Sequence, residues 1–191
     1  MITDKMIKDA ANSLGVTPAH INAIREVEAN GTGFLPGGQR PKILFERHVF
    51  YRQLVKARGS LFADEVKKQH PDICNTATGG YQGGAAEHER LDKAVQIDRN
   101  SALESCSWGA FQVMGYHWSL LGYPSVQKMV NAAYTEEGQL DILVRFLKAN
   151  PAIVGAMKRK DWVDVARRYN GAGYKANKYD TKLEAAFAKY S

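Results

Sequence analysis

Helix start and stop signals recur along this chain and constrain it to an α-rich fold. Thr17 and Pro18 form such a start signal, because threonine accepts hydrogen bonds from the first helical amides and proline suits the first helical position. The helix that they open is predicted to end near Asn30. Thr135, which two glutamates follow, predicts another helix start. Residues 32–46 break the helical periodicity and predict a small β-hairpin after the second helix.

Length and composition indicate one globular domain. The 191 residues can bury a hydrophobic core, and 45% hydrophobic with 24% charged residues exclude a disordered or collagen-like chain. No apolar run reaches the roughly 18 residues of a membrane span. The first ten residues lack the apolar segment of a secretory signal, so we expect synthesis in the cytoplasm without a signal peptide. In that reducing compartment Cys74 and Cys106 are expected to be free thiols.

The basic charge is concentrated in the last part of the chain. The net charge is +6, and residues 150–191 hold nine basic and four acidic residues, which gives this part +5. A solvated helical surface is one interpretation. The other is attraction to a polyanion, which could be nucleic acid, an anionic membrane or a bacterial envelope.

Glu28 is predicted to lie on the buried face of the helix that Pro18 begins. It follows Ile21 and Ile24 at helical spacing, so the three side chains share one apolar face. Burial and the negative end of the helix dipole both disfavour the ionised carboxylate, and we expect a raised pKa. Such an acid is suited to general acid catalysis. The alternative is a structural glutamate that pairs with a neighbouring cation.

Glu46 is the second candidate carboxylate. It ends the apolar run of a short predicted strand over residues 42–46. An acid on a helix followed by an acid on a strand can flank a glycosidic bond. Alternatively, Glu46 caps the next helix or pairs with Arg40 or Arg47.

Two segments combine aromatic rings with amide side chains and glycines, namely residues 105–115 and residues 166–174. Aromatic faces stack on sugars, and amides hydrogen-bond to hydroxyl and acetamido groups. The candidate saccharide-binding residues are Ser107, Trp108, Gln112, Tyr169 and Asn170. The structural alternative is that tryptophan lies in the core and that the Asn-Gly pair ends a helix. Residues 108–115 are expected to lie between helices or to open one.

Three blocks together resemble the signatures of the lysozyme-like superfamily, in the order of goose-type lysozymes and soluble lytic transglycosylases. They are Glu28 with residues 30–34, residues 107–114, and residues 168–171. Residues 41–52, PKILFERHVFYR, are more specifically similar to the N-acetylmuramidase domain of phage and prophage endolysins. The resemblance covers essentially the whole chain.

The resemblance implies a lysozyme-like, mainly α single domain over residues 1–191, without a separate cell-wall-binding module. It also implies a peptidoglycan hydrolase that cleaves the β-1,4 bond between N-acetylmuramic acid and N-acetylglucosamine and thereby lyses bacteria. Glu28 corresponds to the catalytic acid of the family, and Gln112, Tyr169 and Asn170 correspond to positions along the saccharide groove. The superfamily blocks assign no role to Glu46.

Two alternatives compete with a hydrolase. A lytic transglycosylase would use Glu28 alone and release 1,6-anhydro-muramoyl products, whereas a non-enzymatic cationic protein would bind nucleic acid or the envelope. The only cluster of possible metal ligands, Glu87-His88-Glu89, lacks metal-site spacing, so we expect no metal and no cofactor.

The resemblance also decides between the candidate partners. We expect a monomer whose partner is the glycan strands of peptidoglycan rather than nucleic acid. The basic part of the chain is then expected to contact the anionic envelope. The protein would act on the cell wall in the periplasm after its release from the cytoplasm.

Overall fold

Helices make up most of the chain in the computed structural model, which describes residues 2–29 and 32–191. Eleven α-helices occur in these two ranges: α1 (Asp4–Leu14), α2 (Pro18–Ala29), α3 (Arg47–Arg58), α4 (Ser60–Gln69), α5 (Ala86–Ile97), α6 (Arg99–Glu104), α7 (Val126–Ala133), α8 (Glu136–Ala149), α9 (Pro151–Lys158), α10 (Trp162–Asn170) and α11 (Tyr179–Tyr190). The strands are β1 (Ile43–Phe45), β2 (Cys106–Trp108) and β3 (Val113–Met114). The predicted α-rich fold is confirmed. Asn30 and Gly31, at which the prediction placed the end of the second helix, lie outside the described residues.

Side-chain caps fix several helix starts. Thr3 accepts a hydrogen bond from the Met6 amide before α1, and Gly15 ends that helix in the left-handed region at φ 65°. Thr135 accepts a hydrogen bond from the Gly138 amide and opens α8, as its sequence predicts. These local signals explain why helix boundaries could be read from the sequence.

The three strands form one antiparallel sheet in the order β1-β2-β3. In its first half Ile43 pairs with Trp108 and Phe45 pairs with Cys106. The predicted hairpin is present as a single bridge between Phe34 and Pro41, which precedes β1. A strand of three residues makes too few hydrogen bonds alone, so β1 gains its partner from a segment far along the chain.

A buried ion pair joins the sheet to the helices. Glu87 on α5 is 0% exposed, and its carboxylate accepts hydrogen bonds from the amides of Phe45, Gln82 and Gly83 and from the Arg90 guanidinium at 2.8 Å. Arg90 donates in turn to the Phe45 carbonyl. Burial alone would raise the pKa of Glu87, but the amides of Gly83, Gln82 and Phe45 and the charge of Arg90 hold it below its usual value.

Helix α11 packs along α2 and brings the last part of the chain to the second helix. The Phe187 ring lies 4.6 Å from the His20 ring and 5.0 Å from the Trp162 ring, measured between centroids. Lys189 and Tyr190 each donate to the Glu26 carboxylate at 2.7 Å. These contacts fix α11 beside the end of α2 that carries Glu28.

Gln139 on α8 holds two loops together through its buried amide. Its Oε1 accepts from the Ala110 amide at 2.8 Å, and its Nε2 donates to the Gly33 carbonyl at 3.3 Å. A Cβ on Gly33 would lie 1.9 Å from that Oε1, and a Cβ on Gly109 would lie 2.6 Å from the Gln139 side chain. Only glycine fits at these two positions, because the backbone approaches the amide so closely.

Both cysteines are buried free thiols, as expected. Burial raises the pKa of Cys74 to about 11, which keeps that thiol protonated at neutral pH. Among the helices that the structure describes, none combines the length and the apolar character needed to cross a membrane.

We expect Arg90→Met to destabilise the protein by about 3–5 kcal/mol, because it leaves the Glu87 carboxylate buried without its cation. The free energy of unfolding from urea denaturation measures this loss. Lys5→Met is the matched control, since it removes a lysine whose pair with Asp9 is exposed to solvent and whose loss should change little. Equal stabilities of the two variants would contradict a supporting role for the buried pair.

Candidate active site

Glu28 projects from the last turn of α2 at the junction of two clefts. Ile21 and Ile24 of the same face are 0% and 1% exposed, and Glu28 is half-buried, which confirms the predicted face. One cleft, of about 480 Å³, separates Glu28 from β1, and we call it the sheet cleft. The other, of about 710 Å³, lies between Glu28 and α11, and we call it the helix cleft. A long polymer laid across both would pass over this carboxyl group.

Asn170, the last residue of α10, contacts the candidate acid directly. Its Nδ2 donates to Glu28 Oε1 at 3.1 Å across 142 positions of sequence. The Oδ1 of the same amide is buried and has no hydrogen-bond partner among the described residues. A buried acceptor without a partner is energetically costly, and this one lies on the side chain that contacts the candidate acid.

The pKa of Glu28 is raised above its usual value, as predicted. Burial is the largest cause, because it disfavours the charged carboxylate. The hydrogen bond from Asn170 and the positive charge of Lys182 act in the opposite direction and limit the rise. Glu28 therefore keeps its proton to higher pH than an exposed glutamate, which is the property that a general acid needs.

The sheet cleft has walls from four separate segments. Its lining residues are Glu28, Leu35, Pro36, Lys42, Ile43, Leu44, Gly83, Gly84, Gly109, Ala110 and Gln112. A further cavity of about 560 Å³ shares Leu35, Pro36 and Gly84 with this cleft and extends it toward Arg40. The helix cleft is lined by Val27 and Glu28 of α2 and by residues of α11 that include Tyr179 and Lys182. Together these clefts form a continuous path past Glu28.

Gln112 lies in the wall of the sheet cleft in a strained backbone conformation. Its φ is 49°, in the left-handed region that non-glycine residues rarely adopt. Its Nε2 donates to the Gly109 carbonyl at 2.8 Å, and its Oε1 accepts from the Ser107 hydroxyl at 2.7 Å. Ser107 is itself buried, so it holds Gln112 in place from behind the wall. Strain of this kind is typical of functional sites.

Trp108 does not lie where the sequence prediction placed it. It is 2% exposed in the core of the sheet, and its Nε1 donates to the Leu103 carbonyl at 3.1 Å. The prediction that its ring stacks on a sugar is corrected, because pairing with Ile43 directs this side chain into the core. Trp108 is therefore a core residue, which was the structural alternative.

Tyr169 lies next to Asn170 but is fixed by the protein itself. Its hydroxyl donates to the Phe111 carbonyl at 3.2 Å, and its ring stands edge-on to Phe146 at 5.6 Å. Burial and the nearby Glu28 carboxylate raise its pKa well above the usual value. Tyr169 thus joins the Glu28 region to the turn that precedes Gln112.

Glu46 occupies the position before α3 without capping it and pairs with neither Arg40 nor Arg47 among the described contacts. Its Oε2 accepts from the Tyr81 hydroxyl at 2.7 Å and lies 3.2 Å from His48 Nδ1, without hydrogen-bond geometry to that ring. The residues that line the clefts beside Glu28 do not include Glu46.

Glu87, His88 and Glu89 do not form a ligand cluster. The Glu87 carboxylate is bound by Arg90 and three amides, and His88 Nε2 lies 2.9 Å from the Pro41 carbonyl. No group of three or more histidine, cysteine or acidic side chains in the described part of the chain could hold a metal ion.

Sequence reasoning missed several residues that line the two clefts. No functional role was predicted for Lys182 and Tyr179, and Lys42 was placed only in the short predicted strand. No local signal marks them, because their place in the site depends on α11 packing against α2 and on β1 pairing with β2.

Acid catalysis on a long polymer suits this junction of clefts, and the class of protein that it defines is a lysozyme-like glycoside hydrolase. A family model, N-acetylmuramidase, matches residues 17–191. The chain belongs to this family, and it is a glycosidase of the N-acetylmuramidase type that cleaves peptidoglycan. The predicted family and enzyme class are confirmed.

One solved structure similar to this chain is the crystal structure of the Burkholderia AP3 phage endolysin. It is 46% identical, with a TM-score of 0.92, and the match covers 99% of this chain and 71% of that one. No significant match was found among curated proteins.

Replacing Asn170 with alanine should move the alkaline limb of the pH profile upward. With Glu28 as the general acid, activity would fall as pH rises through its pKa, and the Asn170 hydrogen bond lowers that pKa. Removing the bond therefore extends activity to higher pH, even where the overall rate falls. The profile of kcat/KM against pH measures the shift. Lys175→Met, which changes an exposed side chain outside both clefts, should leave the limb in place. A downward shift in Asn170→Ala would contradict the assignment.

Proposed function

We propose that this protein is an endolysin that hydrolyses peptidoglycan with Glu28 as its general acid. The observation that carries the proposal is a half-buried glutamate with a raised pKa at the junction of two clefts. The endolysin structure that matches 99% of this chain supports the biological role. We propose the cell wall as the place of action, after release of the protein from the cytoplasm.

In the proposed mechanism a glycan strand lies along the sheet cleft and the helix cleft. Glu28 donates its proton to the glycosidic oxygen, the bond to the anomeric carbon breaks, and positive charge develops on that sugar. Water then adds to the anomeric carbon, and its proton returns to the enzyme. Asn170 holds the Glu28 carboxyl group in position through its Nδ2.

Glu46 is proposed as the second carboxylate, which orients the water or stabilises the charged sugar. It follows β1, whose residues Ile43 and Leu44 line the sheet cleft, although Glu46 itself is not among the lining residues. The described contacts of Glu46 with Tyr81 and His48 all use Oε2, which leaves Oε1 to accept from water.

Gln112, Tyr169 and Asn170 are proposed to form the saccharide-binding wall, and Ser107 supports it by positioning Gln112. Gln112 is exposed in the sheet cleft, so its amide is available to sugar hydroxyls. Action as a monomer is proposed as well.

The basic part of the chain is proposed to attract the protein to the anionic envelope. Three guanidinium groups, of Arg159, Arg167 and Arg168, surround the single carboxylate of Asp164, so this surface carries excess positive charge. Lys158 and Lys175 add further exposed charge. Such a field raises the encounter rate with a polyanion.

Glu28→Gln should reduce lysis of a peptidoglycan suspension by about 10²–10⁴-fold, because the amide cannot donate an acid proton. The same variant should be more stable than the wild type at neutral pH. A raised pKa means that the folded state binds the proton more tightly than the unfolded state, so ionisation of Glu28 costs stability as pH rises. Turbidity loss and thermal unfolding measure the two effects.

The products complete this test. Hydrolysis adds one water to each cleaved bond, whereas a lytic transglycosylase releases anhydro-muramoyl ends, and mass spectrometry separates the two. Wild-type lysis by Glu28→Gln would overturn the proposed acid, and anhydro products would overturn hydrolysis.

Lysis of whole envelopes should weaken as ionic strength rises past about 0.1–0.15 M, where screening acts over roughly 8–10 Å. A variant with Lys158→Gln and Lys175→Gln should have lower activity at low salt and a flatter salt dependence. The matched control is Lys56→Gln with Lys128→Gln, which removes two exposed charges outside residues 150–191. Identical salt profiles for the two double variants would contradict delivery by the basic part.

A further inference from the structure

The arm of the substrate path that runs along β1 carries two cations beside the catalytic acid. Lys42 lines the sheet cleft, and Arg40 lines the cavity that extends it. Glu28 is the one acidic residue among the described residues that line these two spaces. This arm therefore presents positive charge to whatever occupies it.

The backbone on both sides of the cleft fixes the position of Lys42. Its amide donates to the Gly33 carbonyl at 2.8 Å, and its carbonyl accepts from the Gly109 amide at 2.8 Å. The Arg40 carbonyl accepts from the Leu35 amide at 2.9 Å within the same hairpin. The two side chains thus start from a rigid frame, which reduces the entropy lost when they bind a ligand.

Neither cation is neutralised within the described part of the protein. Arg40 and Lys42 make no ion pair or side-chain hydrogen bond there, whereas Lys189 in the helix cleft is paired with Glu26 at 2.7 Å. Two unpaired cations in a substrate cleft are complementary to an anionic group on the substrate.

We propose that Arg40 and Lys42 bind carboxylates of the stem peptides attached to the glycan, so that the enzyme selects strands carrying anionic peptides. This inference rests on the proposed function, because it assigns a specificity to the same cleft. Sugar hydroxyls and acetamido groups are uncharged, so the carboxylates of the attached peptide are the anions that a muramic acid unit with its stem peptide offers.

The effect of Lys42 can be separated from the chemistry at Glu28. The causes of the pKa shift of Glu28 are burial, the Asn170 hydrogen bond and the charge of Lys182. Neutralising Lys42 should therefore change substrate selection without moving the alkaline limb of the pH profile. Lys182→Met should move that limb and serves as a contrast.

The experiment compares two soluble substrates that share one glycan: muropeptide strands with free peptide carboxylates, and the same strands after conversion of those carboxylates to neutral amides. We expect the wild type to favour the free carboxylates in kcat/KM on the order of tenfold, the size of one charge-assisted hydrogen bond. The difference should appear mainly in KM. Lys42→Met and Arg40→Gln should each reduce it, and Lys42→Arg should retain it.

Lys56→Met is the matched control, because it removes an exposed cation outside the clefts and should keep the full preference. Equal cleavage of both substrates by the wild type would overturn the inference. An equal loss on both substrates in Lys42→Met would also overturn it, since the lysine would then bind the glycan itself. If Lys42→Met does not fold, the comparison of the two substrates is made with Arg40→Gln, because Arg40 lies in an exposed part of the hairpin. Wild-type activity of Glu28→Gln on either substrate would instead disprove the proposed acid.

Discussion

The buried carboxylate of Glu87 is the interaction on which the substrate path depends. One side chain accepts from the amide of Phe45 in β1 and from two amides of the glycine-rich loop, and Arg90 neutralises it from the same helix. Burying an ion pair costs free energy of desolvation, which is offset only when the hydrogen bonds of the charged groups are complete. Here the hydrogen bonds of the Glu87 carboxylate are complete. The strand and the loop that border the sheet cleft are therefore held by one α-helix.

Gln139 holds the segments at the opposite wall of the sheet cleft in place. It ties the Gly33 backbone to the Ala110 amide, and these two segments flank Lys42. The sheet cleft is thus built from loops whose positions are set by two buried polar side chains of helices. Rigid helices place irregular segments with the accuracy that a catalytic site needs.

Local patterns predicted the helices and the acid but not the partners of the acid. The Thr3 and Thr135 caps and the apolar face of α2 are properties of neighbouring residues, so they could be read directly. Strands β2 and β3 have three and two residues, too few for a periodic signal. Residues 108–115 were predicted only to lie between helices or to open one, so the pairing of β2 with its neighbouring strands was not predicted. For the same reason the sequence did not decide that Trp108 lies in the core.

The properties of a candidate residue could be predicted where they depend only on neighbours in its own helix. The apolar spacing around Glu28 gives the direction of its pKa, but the strength of that effect depends on Asn170 and Lys182, which arrive through tertiary packing. Lys42 and Arg40 have unremarkable sequence neighbours, and their relevance follows only from the cleft that they line. The position of Glu46 directly after a strand does not determine which groups its carboxylate contacts.

The long sequence separation between the acid and its surroundings also bears on the order of synthesis. Glu28 lies on α2, whereas its hydrogen-bond partner follows 142 positions later and the other wall of the helix cleft belongs to α11. A nascent chain that has exposed only the first helices carries the acid without its buried setting. The buried setting of Glu28 therefore forms only when α10 and α11 have been synthesised and have packed beside α2.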